Sequence, residues 1–211
     1  MRLGLDARTL ASPVRSGVEH YVINLTRALA ALPEAPDIIA YVDRPISNPA
    51  LAALSSERLK IGLLRTRRGW LRAALPWRLW LDRADLVHLP STILPPILPC
   101  PAVVTVHDLA WARFPETYDP ADLRMQTRVV PRSLRRAAHI ITVSHSTAHD
   151  LTEMLDVPAD TITAIPLGVS SAFSPDGPRL PADAFPGAER LAGGYLLHHA
   201  TGGPHPRKNV G

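Results

Sequence analysis

Cysteine is nearly absent from this chain: among 211 residues only Cys100 carries a thiol. A lone cysteine forms no internal disulfide, so the fold must rest on a buried core. Nothing beside it in ILPCPAVV activates it, and it reads as a small buried hydrophobe. Long apolar runs are also missing. Pro or Arg interrupts each one well short of the roughly 20 residues a helix needs to cross a bilayer, so no spanning helix is expected. The opening MRLGLDARTL is too short and polar for the apolar core of a secretory signal, and a cytoplasmic location follows as the expectation. Several chemical fingerprints are lacking as well. No G-x-G-x-x-G follows the first strand, which disfavours a simple dinucleotide site. No G-x-S-x-G elbow raises a serine to a nucleophile. No D-x-D pair offers ligands to a metal-bound diphosphate. His20, His88, His139, His145, His149, His198, His199 and His205 read as scattered, with no zinc set among them. Neither metal nor cofactor is expected.

What the chain does have is arginine and a regular alternation of segment types. Its formal net charge is +4, concentrated in LLRTRRGWLRAALPWRLW and LRMQTRVVPRSLRR. Such patches suit nucleic acid, an anionic membrane surface or a phosphorylated substrate, and do not choose among them. RLGLDA is a short β-like run. From Gly17 onward Val18, Val22, Leu25, Leu29 and Leu32 recur at helical spacing. DIIAYV and LKIGLL are strand candidates. Trp70, Ala74, Trp77 and Leu81 then share a helical face, with Pro76 arguing against an unbroken helix. Trp70 and Trp77 read as core more than as membrane anchors. DLVHLP, AVVTVH and HIITVS have the β-branched, apolar character of strands buried on both faces. Leu123, Thr127, Val130 and Leu134 mark another helix, kinked or restarted at Pro131. Along it Arg124, Arg128 and Arg132 form either a solvated basic face, which is favoured, or an attachment to anionic lipid. A helix from about Ser146 to Leu155 and a strand in TITAIP follow. Strand and helix in turn specify an α/β fold: a Rossmann-like parallel sheet with helices on both faces.

Residues 1–169 are expected to form that domain. Residues 170–193, rich in Pro, Gly, Ala and Ser, read as a linker. Residues 194–211 read as the start of a second α/β unit, in which YLLHHA is a strand and TGGPHPRKN a phosphate-binding turn.

Ligands of open parallel sheets bind beyond the carboxyl ends of the strands, and three segments put polar groups there. In DARTLASPVRSGVEHY, Gly17 stands at a helix N-terminus, where it either admits an anion to the backbone or merely serves the turn. In VVTVHDLAWARFPE, His107 and Asp108 directly follow a strand. The imidazole can hydrogen-bond a sugar hydroxyl or move protons near neutral pH. The plainer alternative has His107 capping the sheet and Asp108 ordering the loop. A metal-dependent HD phosphohydrolase is disfavoured, because its His-Asp pair belongs on helices. In ITVSHSTAHDL, Ser144 sits where an N-cap belongs.

Taken in order, SGVEHYVINLTRAL, TVHDLAWARFPE, RAAHIITVSHSTAHDL, ITAIPLGVSSAFSP and GGPHPRKN resemble the N-terminal half of family-four retaining glycosyltransferases of the GT-B architecture. The match runs along nearly the whole chain. The resemblance implies two Rossmann-like domains across a cleft, the first chiefly binding the acceptor and the second the nucleotide-sugar donor. It implies His107 as the active-site histidine beside the transferred sugar. Gly17 would face donor phosphates or a phosphorylated acceptor, Asp108 would belong to the substrate-binding residues, and Ser144 would lie near the cleft floor. Arg207 and Lys208 would hold the donor diphosphate. The implied partners are a nucleotide sugar, with GDP-mannose mildly favoured, and a glycan or lipid-linked acceptor, without nucleic acid. Peripheral contact with the inner face of the membrane is the sharper alternative for the basic segments. Two departures stand out: Ser16-Gly17 where many members have two glycines, and Leu167 where Asn is frequent. The paired glutamates of the donor region would lie beyond Gly211, so residues 1–211 alone are not expected to transfer sugar. A non-catalytic module that docks an anionic acceptor or a membrane surface is the rival reading; a sugar-nucleotide epimerase has weaker support.

Overall fold

The computed structural model describes residues 1–12, 16–47, 56–66, 68–169, 174 and 176. Met1–Pro166 forms one compact unit. The strands are β1 (Arg2–Asp6), β2 (Asp37–Val42), β3 (Leu59–Leu63), β4 (Leu86–Leu89), β5 (Ala102–Val106), β6 (His139–Thr142) and β7 (Ile162–Ala164). The helices are α1 (Gly17–Ala30), α2 (Leu75–Leu81, entered through a π-turn at Trp70–Ala74), α3 (Ala110–Arg113), α4 (Pro120–Leu134) and α5 (His145–Leu155). All seven strands are parallel, in the order β3-β2-β1-β4-β5-β6-β7. This is the expected Rossmann-like sheet, reversing its winding between β1 and β4.

Helices cover both faces, but unequally. On one, Leu3 and Leu5 of β1, Ile38, Ala40 and Val42 of β2 and Leu59 of β3 pack on Val22 and Ile23 of α1. On the other, Val87, Leu89, Val104, Val106 and Ile140 meet Leu75 and Leu79 of α2, Val130 and Leu134 of α4, and Leu151 of α5. The chain approaches closely where β1 passes under α2. A Cβ on Gly4 would collide with Leu79 and come within 3.2 Å of the Tyr41 ring. Burial on both faces, expected of β4 to β6, therefore fails at β6. That strand alternates half-buried and buried residues from His139 to Thr142, because α4 and α5 contribute to the same core.

The Trp-rich helix also departs from its expected phase. Gly69 takes a left-handed conformation (φ 75°) and opens a π-turn in which the Leu75 N–H bonds the Trp70 carbonyl. A π-turn spans one residue more than an α-turn and rotates everything after it by about 100°. The buried series becomes Trp70, Leu75 and Leu79, instead of Trp70, Ala74, Trp77 and Leu81. Trp77 is 60% exposed and stacks on Trp80 at 4.9 Å, so it is not a core residue. Pro76 costs little here, since it stands in the first turn of α2, where its missing N–H has no obligatory partner. On α4 the helix continues through Pro131 without a break, and Arg124, Arg128 and Arg132 are exposed, the favoured solvated face. Cys100 is half-buried; burial, then the nearby Asp85 carboxylate, raise its thiol pKa and keep it protonated. YLLHHA and almost all of residues 170–211 lie outside the described residues.

The phase shift makes a direct test. Leu79→Ala should cost about 3 kcal/mol of stability, as for a filled core leucine, and Trp77→Ala less than about 0.5 kcal/mol, as for an exposed site. Urea denaturation of both variants decides; equal losses would contradict the register.

Candidate active site

The winding reversal leaves a crevice where the carboxyl ends of β1 and β4 part, and the residues that follow both strands line it. A cavity of about 120 Å³ lies there between Asp6, Arg8, Thr9, Val18, Pro90 and Ser91. Asp6 ends β1 and is 5% exposed. Arg8 neutralises it through a two-pronged contact, Nε to Oδ1 at 2.9 Å and Nη2 to Oδ2 at 2.7 Å. The guanidinium also lies 5.2 Å from the centre of the Trp70 ring. A fork held at both prongs and stacked on an indole is a rigid wall. A cavity of about 390 Å³ beside Trp80, Arg83 and Pro99 lies at the amino ends of β4 and β5, away from this crevice.

His107 follows β5 on the same edge. Its Nε2 stands 3.2 Å from the Pro90 carbonyl. A carbonyl only accepts, so Nε2 carries the proton and the neutral ring keeps its lone pair on Nδ1. Burial is the main cause that lowers the His107 pKa, against smaller upward contributions from the Pro90 bond and Asp108. Beneath it lie residues that the sequence reading did not single out. Tyr21 Oη is 3.0 Å from Thr105 Oγ1, and His88 Nε2 is 2.8 Å from the same hydroxyl. The Tyr21 ring meets His107 edge to face, with centroids 5.1 Å apart. Burial, then the neighbouring His107, push His88 down to a pKa of about 4. Its signal was present in LVHL, where a histidine interrupts an otherwise apolar strand. Tyr21 offered only its place one turn after Gly17.

The other expected site residues are placed as follows. Ser16 is the N-cap of α1, accepting the Glu19 N–H at 3.2 Å, with Gly17 next in line. Gly17 is exposed, and a Cβ there would meet nothing within 4 Å. The turn therefore does not require glycine; a glycine keeps the helix end open. Val18, beside it, lines the cavity together with Pro90, the residue whose carbonyl meets His107. Asp108 is exposed and accepts the Ala110 N–H at 3.0 Å, ordering the loop. Ser144 caps α5, accepting the Thr147 N–H at 3.0 Å; its hydrogen bonds join it to Thr142 and Thr147, and among the described residues none joins it to the His107 cluster. His145 and His149 are not merely scattered: they stand at H-x-x-x-H spacing on α5, both exposed. Among the described residues, no group of three His, Cys, Asp or Glu side chains is arranged to hold a metal. Arg207 and Lys208 lie outside the described residues. Chemically, the crevice offers neutral hydrogen-bonding groups and one internally neutralised ion pair, a surface suited to hydroxyl-rich ligands.

The glycosyltransferase family 4 model matches residues 15–173, spanning α1, His107 and β7. The chain belongs to glycosyltransferase family 4. It is 27% identical over 213 residues to the O-antigen chain mannosyltransferase B of Escherichia coli, an alignment covering 92% of this chain and 54% of that protein. The crystal structure of Anabaena HepE in complex with UDP-glucose is similar in fold, with a TM-score of 0.52 at 17% identity, covering 80% of this chain and 44% of that one. This family 4 chain thus spans about half the length of the relatives it matches. No helix among its described residues is long and apolar enough to cross a membrane.

The buried His88 links pH to stability in this family 4 domain. Its folded pKa of about 4 lies below the ordinary 6.5, so the unfolded chain binds the proton more readily. The contribution is complete above pH 6.5 and is lost as pH falls from 6.5 towards 4; His107 acts in the same direction. Stability at pH 5 should be about 2 kcal/mol lower than at pH 7, and His88→Gln should flatten that slope. Denaturant midpoints at the two pH values test this; a pH-independent wild type would refute it.

Proposed function

We propose that this chain is the acceptor-binding half of a retaining glycosyltransferase, which moves a hexose from a nucleotide sugar to a glycan or lipid-linked acceptor. The observation that carries this reading is His107: it stands at the carboxyl edge beside the β1/β4 reversal, with Nε2 committed to Pro90 and Nδ1 without a protein partner among the described residues. Nδ1 is then an acceptor for a hydroxyl of the transferred sugar. The name of the Escherichia coli relative favours mannose as that sugar.

In the proposed reaction the acceptor oxygen attacks the anomeric carbon from the face on which the diphosphate departs. The bond to the diphosphate oxygen breaks as the new glycosidic bond forms, and the departing phosphate takes the acceptor's proton. The anomeric configuration is kept, and no enzymic nucleophile is needed. His107 orients the sugar and stabilises the oxocarbenium-like transition state by hydrogen bonding. Gly17, at the open end of α1, gives an anionic group access to the helix N-terminus. Asp108 holds the loop that carries His107, and Ser144 the entry to α5. Arg207 and Lys208 are proposed for the donor diphosphate, whose growing charge they would neutralise. Residues 170–193 would link this domain to a donor domain starting at 194. We place the enzyme in the cytoplasm, working where nucleotide sugars are supplied, with peripheral attachment to the membrane for a lipid-linked acceptor.

His107→Ala in the complete enzyme should lower kcat/KM by on the order of a hundredfold while moving the melting temperature only a few degrees. His145→Ala, at the exposed start of α5, is the control and should cost far less. Full activity without the His107 imidazole would remove it from the site; parallel loss of activity and melting temperature would assign it to the fold.

A further inference from the structure

Thr105, fully buried in β5, divides its hydroxyl between α1 and β4, and the consequence reaches His107. We propose that Tyr21 is a positioning residue for His107: the Thr105 hydroxyl clamps its ring, and the ring edge holds the imidazole in one plane and one tautomer. This inference rests on the role given to His107 above.

The hydrogen-bond directions follow from the groups present. Burial raises the Tyr21 pKa, outweighing the opposing effect of its bond to Thr105, so the phenol stays protonated. His88 is neutral at physiological pH. Tyr21 donating to Thr105 and Thr105 donating to His88 Nε2 uses each proton once and leaves the His88 proton on Nδ1. The reverse direction would leave the phenol proton without an acceptor among the described residues. One chain of neutral hydrogen bonds thus ties helix to sheet without introducing a buried charge. The Tyr21 ring stands nearly perpendicular to both imidazoles, at 89° and 6.4 Å from His88 and at 88° and 5.1 Å from His107. Tyr21 packs against the aliphatic core shared by α1, β1 and β2, and its ring also stands edge-on to two histidine rings. The groups facing His107 are Tyr21 from α1, His88 and the Pro90 carbonyl from β4 and its end, and Asp108 after β5. Of these, the Pro90 carbonyl selects the Nε2–H tautomer and Tyr21 blocks rotation of the ring away from that bond.

Imidazole ¹⁵N spectra of this chain at pH 7.5 test the proposal without substrate. Wild-type His107 should be almost wholly the Nε2–H tautomer. Tyr21→Leu should reduce the tautomer ratio by about three- to tenfold, the factor that an edge-to-face aromatic contact supports. Tyr21→Phe, which breaks only the Tyr21–Thr105 bond, should give a smaller reduction, and Thr105→Val, which also removes the bond to His88, at least as large a one as Tyr21→Phe, while exposed His20 and His145 stay unchanged. Thr105→Val decides the matter if Tyr21→Leu does not fold. An unchanged His107 ratio in the folded variants overturns the proposal. In the complete enzyme Tyr21→Leu should lower kcat about tenfold with KM within about twofold, and should add little to His107→Ala, since the two act as one unit. Additive losses also overturn the positioning role. A harmless His107→Ala, with the tautomer shift still present, would overturn the catalytic reading alone.

Discussion

Parallel strand pairing is the constraint on which the rest of this molecule depends. Because all seven strands run the same way, each connection must cross back over the sheet, and all the carboxyl ends gather on one edge. The order β3-β2-β1-β4-β5-β6-β7 makes the chain leave β1 in one direction and return past it in the other. At that reversal neighbouring connections diverge, and space opens between the ends of β1 and β4. Asp6, Pro90 and Ser91 line that space although most of a hundred residues of chain separate β1 from the end of β4, and His107 borders it through the Pro90 carbonyl.

The chemistry of the crevice is set by how its polar groups are neutralised. Asp6 and Arg8 neutralise each other through a fork that the Trp70 ring backs. Tyr21, Thr105 and His88 form an uncharged chain below His107. Burial makes charging either histidine cost more than in solvent, and both have lowered pKa values. A site of this kind holds and orients hydroxyl groups. The residues proposed for the charge of a leaving diphosphate are instead Arg207 and Lys208, in the segment assigned to the second domain.

Local pattern and tertiary outcome diverge most clearly around Trp77. A helix read at a constant 100° per residue puts Trp70, Ala74, Trp77 and Leu81 on one face. The π-turn after Gly69 interrupts that period, so Leu75 and Leu79 enter the core while Trp77 and Trp80 stack outside it. At β6 the apolar sequence is compatible with burial on both faces. Which faces are covered depends on where α4 and α5 cross, a property of handedness and packing that a strand does not encode. The H-x-x-x-H spacing of His145 and His149 is legible in the sequence, and on the folded chain it lies at an exposed helix face.

The sequence by itself determined the element types, the parallel α/β class, the helix start at Ser16-Gly17, the capping place of Ser144 and the position of His107 at a strand end. These depend on period, composition and capping chemistry within a few residues, and so they survive without tertiary information. The five motifs in register also identified the family. Only the tertiary structure decided that Tyr21, Thr105 and His88 form one chain beneath His107, and that Pro90 supplies the carbonyl which selects its tautomer. Those contacts join α1, β4 and β5 across separations of 17 to 84 residues. Contacts between such distant residues exist only once the sheet order and register bring their strands side by side.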